Sequence, residues 1–561
     1  MNHCRWNLLP PIPATQLVRD AALPPIVQQL LHNRGITGPA QINSFLTSDK
    51  SLLYDPFLLP DMHRAVSRVY QALLSGEQVV IYGDFDADGI TATALLIQGL
   101  SRLGGNPVPY IPHRHNEGHG LSVSALKNLR EQGATLIITV DCGVTNVAEV
   151  ERAKKWGLDI IITDHHTPIA EIPTALAVVD PKLSGSAYPF LELSGAGVAF
   201  KLLQGLMQNL GRQEEIENVM DLVAIGTIAD MSPLVAENRY LVREGLRLMN
   251  QSPRPGIQEL MLLTGIKGNH LDADKISWII GPCLNASGRL ADASGGYRLM
   301  LTDSAEEARE LAAWLMEKNE ERQRLTKNTY CQAREQVISA GLTPLLMVKD
   351  EDYHLGINGL VASRLMEEFY RPVVVVKTGK KVSHASCRSI PEFNIIAALT
   401  RYGELFTQFG GHSRAAGFTM PTRNLPLLEE KLMTLATTQL AGLDLRPHLE
   451  IDAQVTVREF SSGIFPLIQQ LAPFGQGNPL PTFLSRGVEV LDCRTMGNGS
   501  DHLRLKLKQD GVTWDAVAFN LGSYFSEIAS PLDIVYNLEM DNWGGRERLR
   551  LCILDFAATA N

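Results

Sequence analysis

The sequence predicts an α/β protein: a parallel-sheet lobe and a smaller α/β lobe joined by a long helix, followed by a small β-barrel. Three observations predict it. Runs rich in β-branched residues at 78–82, 136–140 and 159–163 are separated by helix-length segments, the pattern of strands buried on both faces of a parallel sheet. Each run stops at acidic residues: Asp84, Asp86 and Asp88 after the first, Asp141 after the second, and Asp164-His165-His166 after the third. Beyond residue 446 the period changes to two, as in Leu503-Arg504-Leu505-Lys506-Leu507, which describes short half-buried strands.

In chain order, residues 1–75 read as a helical preface, with apolar spacing in Ile26-Val27-Gln28-Gln29-Leu30-Leu31 and no obvious chemistry. Residues 76–303 hold the first α/β lobe, with amphipathic helices expected at 92–103 and 197–210, and a helical extension. Residues 304–340, dense in Glu, Arg and Lys with well-spaced Ala and Leu, read as one connecting helix. A second α/β lobe spans 341–445, opening with the apolar runs 344–348 and 372–376. Residues 446–561 supply about five strands, enough for an OB-like barrel on which Trp514, Phe519 and Trp543 could stack on bases. Aromatics in so small a barrel are more often core.

At 561 residues the chain calls for several domains. No apolar run approaches the roughly eighteen residues that span a bilayer, and Met1 to Pro10 lack a basic-plus-apolar leader, so no membrane role and a cytoplasmic location are expected. The seven cysteines are scattered and never form C-x-x-C, which speaks against disulfides and structural zinc. A net charge of -10 argues against nucleic acid only if it is evenly spread. Between 371 and 420, Arg371, Lys377, Lys380, Lys381, Arg388, Arg401 and Arg414 face only Glu392 and Glu404, a stretch suited to phosphates or an ordinary solvated face.

Carboxylates gathered at neighbouring strand ends repel one another unless cations sit between them, and mixed Asp and His donors suit hard or borderline divalent ions such as Mg²⁺ and Mn²⁺. An EF-hand loop starting at Asp84 is excluded, because the position that needs a bidentate Glu is Leu95 and a strand leads in. Adjacent residues on extended backbone point to opposite faces, so one of His165 and His166 is expected on metal and the other toward substrate. Asp230 ends an apolar helical run, where a carboxylate is electrostatically misplaced unless something positive binds it.

Asp84-Phe85-Asp86-Ala87-Asp88-Gly89, Asp141-Cys142-Gly143, Asp164-His165-His166 and Ala229-Asp230 stand in the order of the DHH phosphoesterase superfamily. Gly281-Pro282-Cys283-Leu284-Asn285-Ala286-Ser287-Gly288-Arg289 follows, and Gly410-Gly411-His412 with Ala415-Ala416-Gly417 resembles the glycine-rich motif of the DHH-associated domain. The resemblance covers almost the whole chain and is greatest to the superfamily's single-strand-specific exonucleases. It implies two divalent ions, Mn²⁺ or Mg²⁺, with Asp84 and Asp86 on separate ions, Asp141 bridging, and His165 and Asp230 completing one shell. Asp88 is implied as a further catalytic residue and His166 as a group that positions substrate. Arg114, Asn285, Arg289, His354, Ser386, Arg388, Gly410, Gly411 and His412 are implied to hold substrate phosphates. The implied activity is 5′ to 3′ hydrolysis of single-stranded DNA in repair and recombination, by a monomer, with a single-strand-binding protein or a helicase as the partners the family suggests. Cys283, Cys142 and His119 stand where relatives often carry Arg, Asn and Tyr. Two alternatives remain at this point: a hydrolase or phosphatase of short oligonucleotides, and a catalytically silent nucleic-acid-binding scaffold.

Overall fold

The computed structural model describes residues 4–13, 23–114, 117–168, 171–266, 271–497, 499–541 and 548–559. Trp543, expected to stack on bases, lies outside them. The chain forms two compact units: Met1–Gly288 with Asp292–Ala313 and His448–Asn561, and Arg289–Ala291 with Trp314–Pro447.

The first unit opens with a short strand, β1 (Arg5–Leu8). Its central sheet comprises β2 (Val79–Tyr82), β3 (Val108–Tyr110), β4 (Leu136–Val140), β5 (Asp159–Thr163) and β6 (Ala177–Val179), all parallel in the order β3-β2-β4-β5-β6. Strands β2 and β4 are buried throughout, and β5 along all but its first residue. Helices Val123–Glu131 and Val147–Lys155 cover one face, packing Leu126, Leu129, Val150 and Ala153 against Val80, Ile137 and Ile160. Helices Ala87–Arg102 and Gly195–Asn209 pack on the strands from the other side. The 36-residue helix Ala305–Ala340 carries the chain from the first unit into the second.

The second unit is a five-stranded sheet of β7 (Leu346–Asp350), β8 (Val373–Lys377), β9 (Val382–Arg388), β10 (Gln408–Gly411) and β11 (Ala415–Pro421), in the order β10-β11-β9-β8-β7. Only β7 and β8 run parallel, joined through helix Asn358–Phe369, as a parallel pair requires. Helix Leu425–Leu440 closes the core on the other side.

The C-terminal part returns to the first unit. It comprises β12 (His448–Ile451), β13 (Ala453–Gln454), β14 (Phe483–Met496), β15 (His502–Gln509), β16 (Val512–Ala518), β17 (Leu532–Asp541) and β18 (Arg548–Ala558). The order β14-β15-β16-β18-β17, with β17 pairing back onto β14, makes a closed five-stranded barrel, as expected. Trp514 belongs to its core with Phe460, Phe483 and Tyr536, whereas Phe519 is exposed.

The N-terminal segment is more than a helical preface. Strand β1 pairs in parallel with β12. Ile26, Val27, Leu30 and Leu31 of helix Pro25–Asn33, with Ile42 and Phe45 of helix Pro39–Thr47, are part of the barrel's own core. Among the described residues no helix is long and apolar enough to cross a membrane.

Candidate metal centre

The acidic residues lie at the carboxyl ends of β2, β4 and β5, where a parallel sheet directs ligands. Leaving β2, the chain passes Asp84 and reaches Asp86, which caps helix Ala87–Arg102: its Oδ1 accepts from the N–H groups of Asp88 (3.0 Å) and Gly89 (3.1 Å). Asp88, in the first turn, accepts from Gly195 N (2.6 Å) and Ala196 N (2.9 Å) at the start of the facing helix, where free N–H groups favour an anion. Asp141 follows β4 in the left-handed region, φ 61°, a strained conformation for a residue with a side chain. Gly195 lies so close that a side chain there would begin 2.5 Å from Asp141 Cβ. The run Ser194-Gly195-Ala196-Gly197 therefore supports two of the aspartates, a role the sequence signalled only by small residues behind a capping serine.

Asp164 is an organiser of the turn. Its Oδ1 accepts from His165 N (2.8 Å) and His166 N (3.1 Å) and lies 2.8 Å from His166 Nδ1, while Oδ2 accepts from Val144 N (2.9 Å). Burial would raise its carboxyl, but the hydrogen bond and charge of His166, the charge of His165 and the Val144 N–H outweigh it and hold the group well below the ordinary carboxylate range. For His166, burial acts downward, yet the bond to Asp164 prevails and lifts it to about 9.

The expectation that the two imidazoles point to opposite faces is not met. Their ring centroids are 4.6 Å apart, because the chain has already left the strand and turns around Asp164. Their surroundings differ nonetheless: the His165 side chain is 9% exposed and that of His166 36%.

His165 Nε2 lies 3.0 Å from Asp141 Oδ1 and 4.0 Å from Asp88 Oδ2, and Nδ1 is 3.9 Å from Asp230 Oδ2. Asp230 caps the end of helix Met220–Ala229 and accepts from Ser232 Oγ (2.6 Å). His119 Nδ1 is 3.1 Å from Asp84 Oδ2. Two sets of potential ligand atoms, Asp84/Asp86/Asp141 and Asp88/His165/Asp230, each fall within 4.8 Å of one another, as does the set Asp141/His165/His166. Burial first, then the neighbouring carboxylates, raises Asp86, Asp88 and Asp141, and burial lowers His165. Asp84 Oδ1 and His165 Nε2 are buried with no hydrogen-bond partner. Orphaned acceptors among repelling carboxylates are the donor set of a divalent-cation site.

Arg114 places its guanidinium 4.8 Å from the Phe85 ring centroid, within the field of Asp84 and Asp86. Asn285 acts on the loop itself, its Oδ1 accepting from Ala87 N (2.8 Å). Cys142 and Cys283 are buried. In the second unit Arg289 Nη1 donates to Gly356 O (3.1 Å), and His354 Nδ1 accepts from Gly356 N (3.2 Å). Arg388, the last residue of β9, lies over Gly359, its Nη2 3.2 Å from where a side chain would begin. Ser386, also on β9, pairs with Gly417. Gly410 and Gly411 are the exposed last residues of β10 and His412 opens the turn to β11, with φ 140° at Gly411 and His412 N donating to Ala415 O (2.7 Å).

Residues 78–227 match the DHH family, N-terminal domain, residues 337–438 the DHHA1 domain, and residues 451–555 the RecJ OB domain. The single-stranded-DNA-specific exonuclease RecJ of Bacillus subtilis (strain 168) is 35% identical over 99% of this chain and 71% of its own length. That of Escherichia coli (strain K12) is 32% identical over 95% of this chain and 96% of its own. The fold is similar to the crystal structure of RecJ in complex with Mn²⁺ from Thermus thermophilus, with a TM-score of 0.86 and 30% identity over 99% of this chain and 80% of that one. By identity sustained over nearly its whole length and by the order of its three matched domains, the chain belongs to the RecJ family of single-stranded-DNA-specific exonucleases.

Proposed function

We propose that this chain is a divalent-metal-dependent exonuclease that hydrolyses phosphodiester bonds of single-stranded DNA, proceeding from the 5′ end and releasing 5′-mononucleotides during repair and recombination. The observation that carries the reading is the cluster at three strand ends, in which buried Asp84 Oδ1 has no hydrogen-bond partner and His165 Nε2 lies 3.0 Å from Asp141 Oδ1 without a hydrogen bond. Asp84 and Asp86 would each hold one of two ions, with Asp141 shared between them and His165 and Asp230 completing the shell of one. Bound there, a Mn²⁺ or Mg²⁺ pair would neutralise phosphate charge and acidify a water for in-line attack.

The chain's own residues supply the rest. Asp88 fixes the Gly195 and Ala196 backbone against the cluster, so the aspartates keep their spacing. Asp164 Oδ1 lies 2.8 Å from His166 Nδ1 and its charge favours the protonated imidazole, a form whose Nε2–H would donate to the scissile phosphate. Arg114 adds positive charge beside Asp84 and Asp86. In the second unit, Arg289, His354, Ser386, Arg388 and the segment Gly410-Gly411-His412 at the end of β10 would hold the phosphates of the DNA strand, Arg388 through a fork suited to phosphate geometry.

Time-resolved digestion of one oligonucleotide carrying a 5′ or a 3′ label, in Mn²⁺, tests the reading. Early mononucleotide release from the 5′ label, abolished in Asp141→Asn, is expected. Intact long strands together with cleaved dinucleotides would overturn it.

A further inference from the structure

The two oxygens of the Asp84 carboxylate have different company. Oδ2 lies 3.1 Å from His119 Nδ1, and because a carboxylate only accepts, Nδ1 is the donor. Oδ1 is buried with no hydrogen-bond partner. The rest of Asp84 is closely confined, since a side chain at Gly89 would begin 2.7 Å from both its Cα and its Cβ. His119 is firmly placed as well, although its side chain is 49% exposed. Its ring stands edge-on to Phe85, with centroids 6.2 Å apart, and to His166, with centroids 5.5 Å apart. The backbone that follows it is tied to the sheet and to the helix Val147–Lys155. Tyr82 of β2 donates to Gly120 O (3.1 Å), and Oδ1 of Asn146, the residue before that helix, accepts from Leu121 N (3.1 Å). Gly120 itself has φ 83°, and a side chain there would begin 2.5 Å from Asn146 Oδ1, so the close approach of the two segments depends on glycine.

We propose that His119 is a positioning residue of the metal centre: it holds Asp84 by Oδ2, presents Oδ1 alone to a divalent ion, and so favours small octahedral ions over Ca²⁺. The inference rests on the metal-dependent reading above. A donor on the outer oxygen of a ligating carboxylate fixes its orientation before an ion arrives, as partners of metal ligands commonly do. It also leaves one oxygen for the ion. Single-oxygen ligation suits the tight octahedral shell of Mg²⁺ and the similar one of Mn²⁺, whereas Ca²⁺ takes roughly six to eight oxygens in a looser shell and gains from carboxylates that offer both.

The test follows Mn²⁺ binding to the full chain through the electron paramagnetic resonance signal of the free ion, with Ca²⁺ as competitor, in the wild type, His119→Ala, His119→Phe and His119→Asn. Two Mn²⁺ sites are expected in the wild type. In His119→Ala one of them should weaken about 10- to 100-fold, the usual effect of losing a group that orients a ligand, while the other keeps its affinity. Ca²⁺ should then displace Mn²⁺ from the weakened site at a lower ratio of Ca²⁺ to Mn²⁺ than in the wild type. His119→Phe keeps a ring between Phe85 and His166 but has no donor, so it should lose as much. His119→Asn returns an N–H close to the place of Nδ1 and should recover most of the loss. Wild-type Mn²⁺ affinity in His119→Ala or His119→Phe, equal weakening of both sites, or an unchanged preference for Mn²⁺ over Ca²⁺ overturns the positioning role and leaves the metal centre standing. A wild type that binds no Mn²⁺ overturns the metal centre, and this inference with it.

Discussion

Two buried groups of charges in the first unit behave in opposite ways. Lys201 and Glu237 are wholly buried, 2.7 Å apart. Lys201 Nζ also donates to Tyr54 O (2.9 Å) and Gln204 Oε1 (3.0 Å), and Tyr188 donates to Glu237. Arg239, the largest fully buried side chain, sends its guanidinium to Phe45 O, Leu471 O and Gln470 O and stacks 3.8 Å from the Phe45 ring centroid. Burial, then Arg243 and Arg34, pushes its pKa down to about 9. These charges are satisfied from within the protein and tie the catalytic lobe to the N-terminal helices and the barrel. In the cluster at the strand ends Asp84, Asp88, Asp141 and His165 are also buried, but its carboxylates face one another and Asp84 Oδ1 and His165 Nε2 make no hydrogen bond. The contrast teaches that burial of charge alone says little about function. What marks a site is buried charge whose complement the chain does not supply.

The largest effect that would sharpen this contrast is in the cluster. Asp141→Asn is expected to bring nucleotide release to background and, in EDTA, to raise the melting temperature, because it removes one repelling carboxylate; Asn tolerates the left-handed backbone there. A lower melting temperature would place the cluster with the structural charges. Next, Glu237→Ala should lower stability by about 3–5 kcal/mol in denaturant titration by stranding Lys201, with kcat per folded molecule unchanged. Pairing it with Lys201→Met should restore much of the loss. Loss of kcat in soluble, folded Glu237→Ala would break the comparison.

Metal addition separates the two regions directly. Mn²⁺ at about a hundred times its Kd should stabilise the wild type by about 2.7 kcal/mol. The thermal shift should shrink in Asp230→Asn and persist in Glu237→Ala. The smallest effect is expected at Arg239, where Arg239→Met removes the guanidinium donors of Phe45 O, Leu471 O and Gln470 O, although Leu471 O keeps Asn478 Nδ2; it should cost about 1–3 kcal/mol, read as a lower denaturation midpoint with metal affinity preserved.

Much of the site was legible along the chain, since a parallel sheet brings the carboxyl ends of its strands to one edge. Asp84, Asp141 and His165 could be grouped without knowing any contact. The division of labour among neighbours could not. Asp164 stands beside two histidines in sequence and in space, yet its oxygens are taken by Val144 N and by the residues it precedes. Asp88 proved to be held by Gly195 and Ala196, residues 107 and 108 positions away.

The sequence by itself determined the parallel sheet, the long helix, the barrel and the placement of the acidic residues at strand ends, because burial on one or both faces writes a local period into the chain. Only the tertiary structure decided that β1 pairs with β12, that helices Pro25–Asn33 and Pro39–Thr47 complete the barrel core, and which buried charges find partners. Periodicity reports that a side chain is covered. Which distant segment covers it depends on how the elements pack, and hydrogen-bond complementarity across hundreds of residues leaves no local trace.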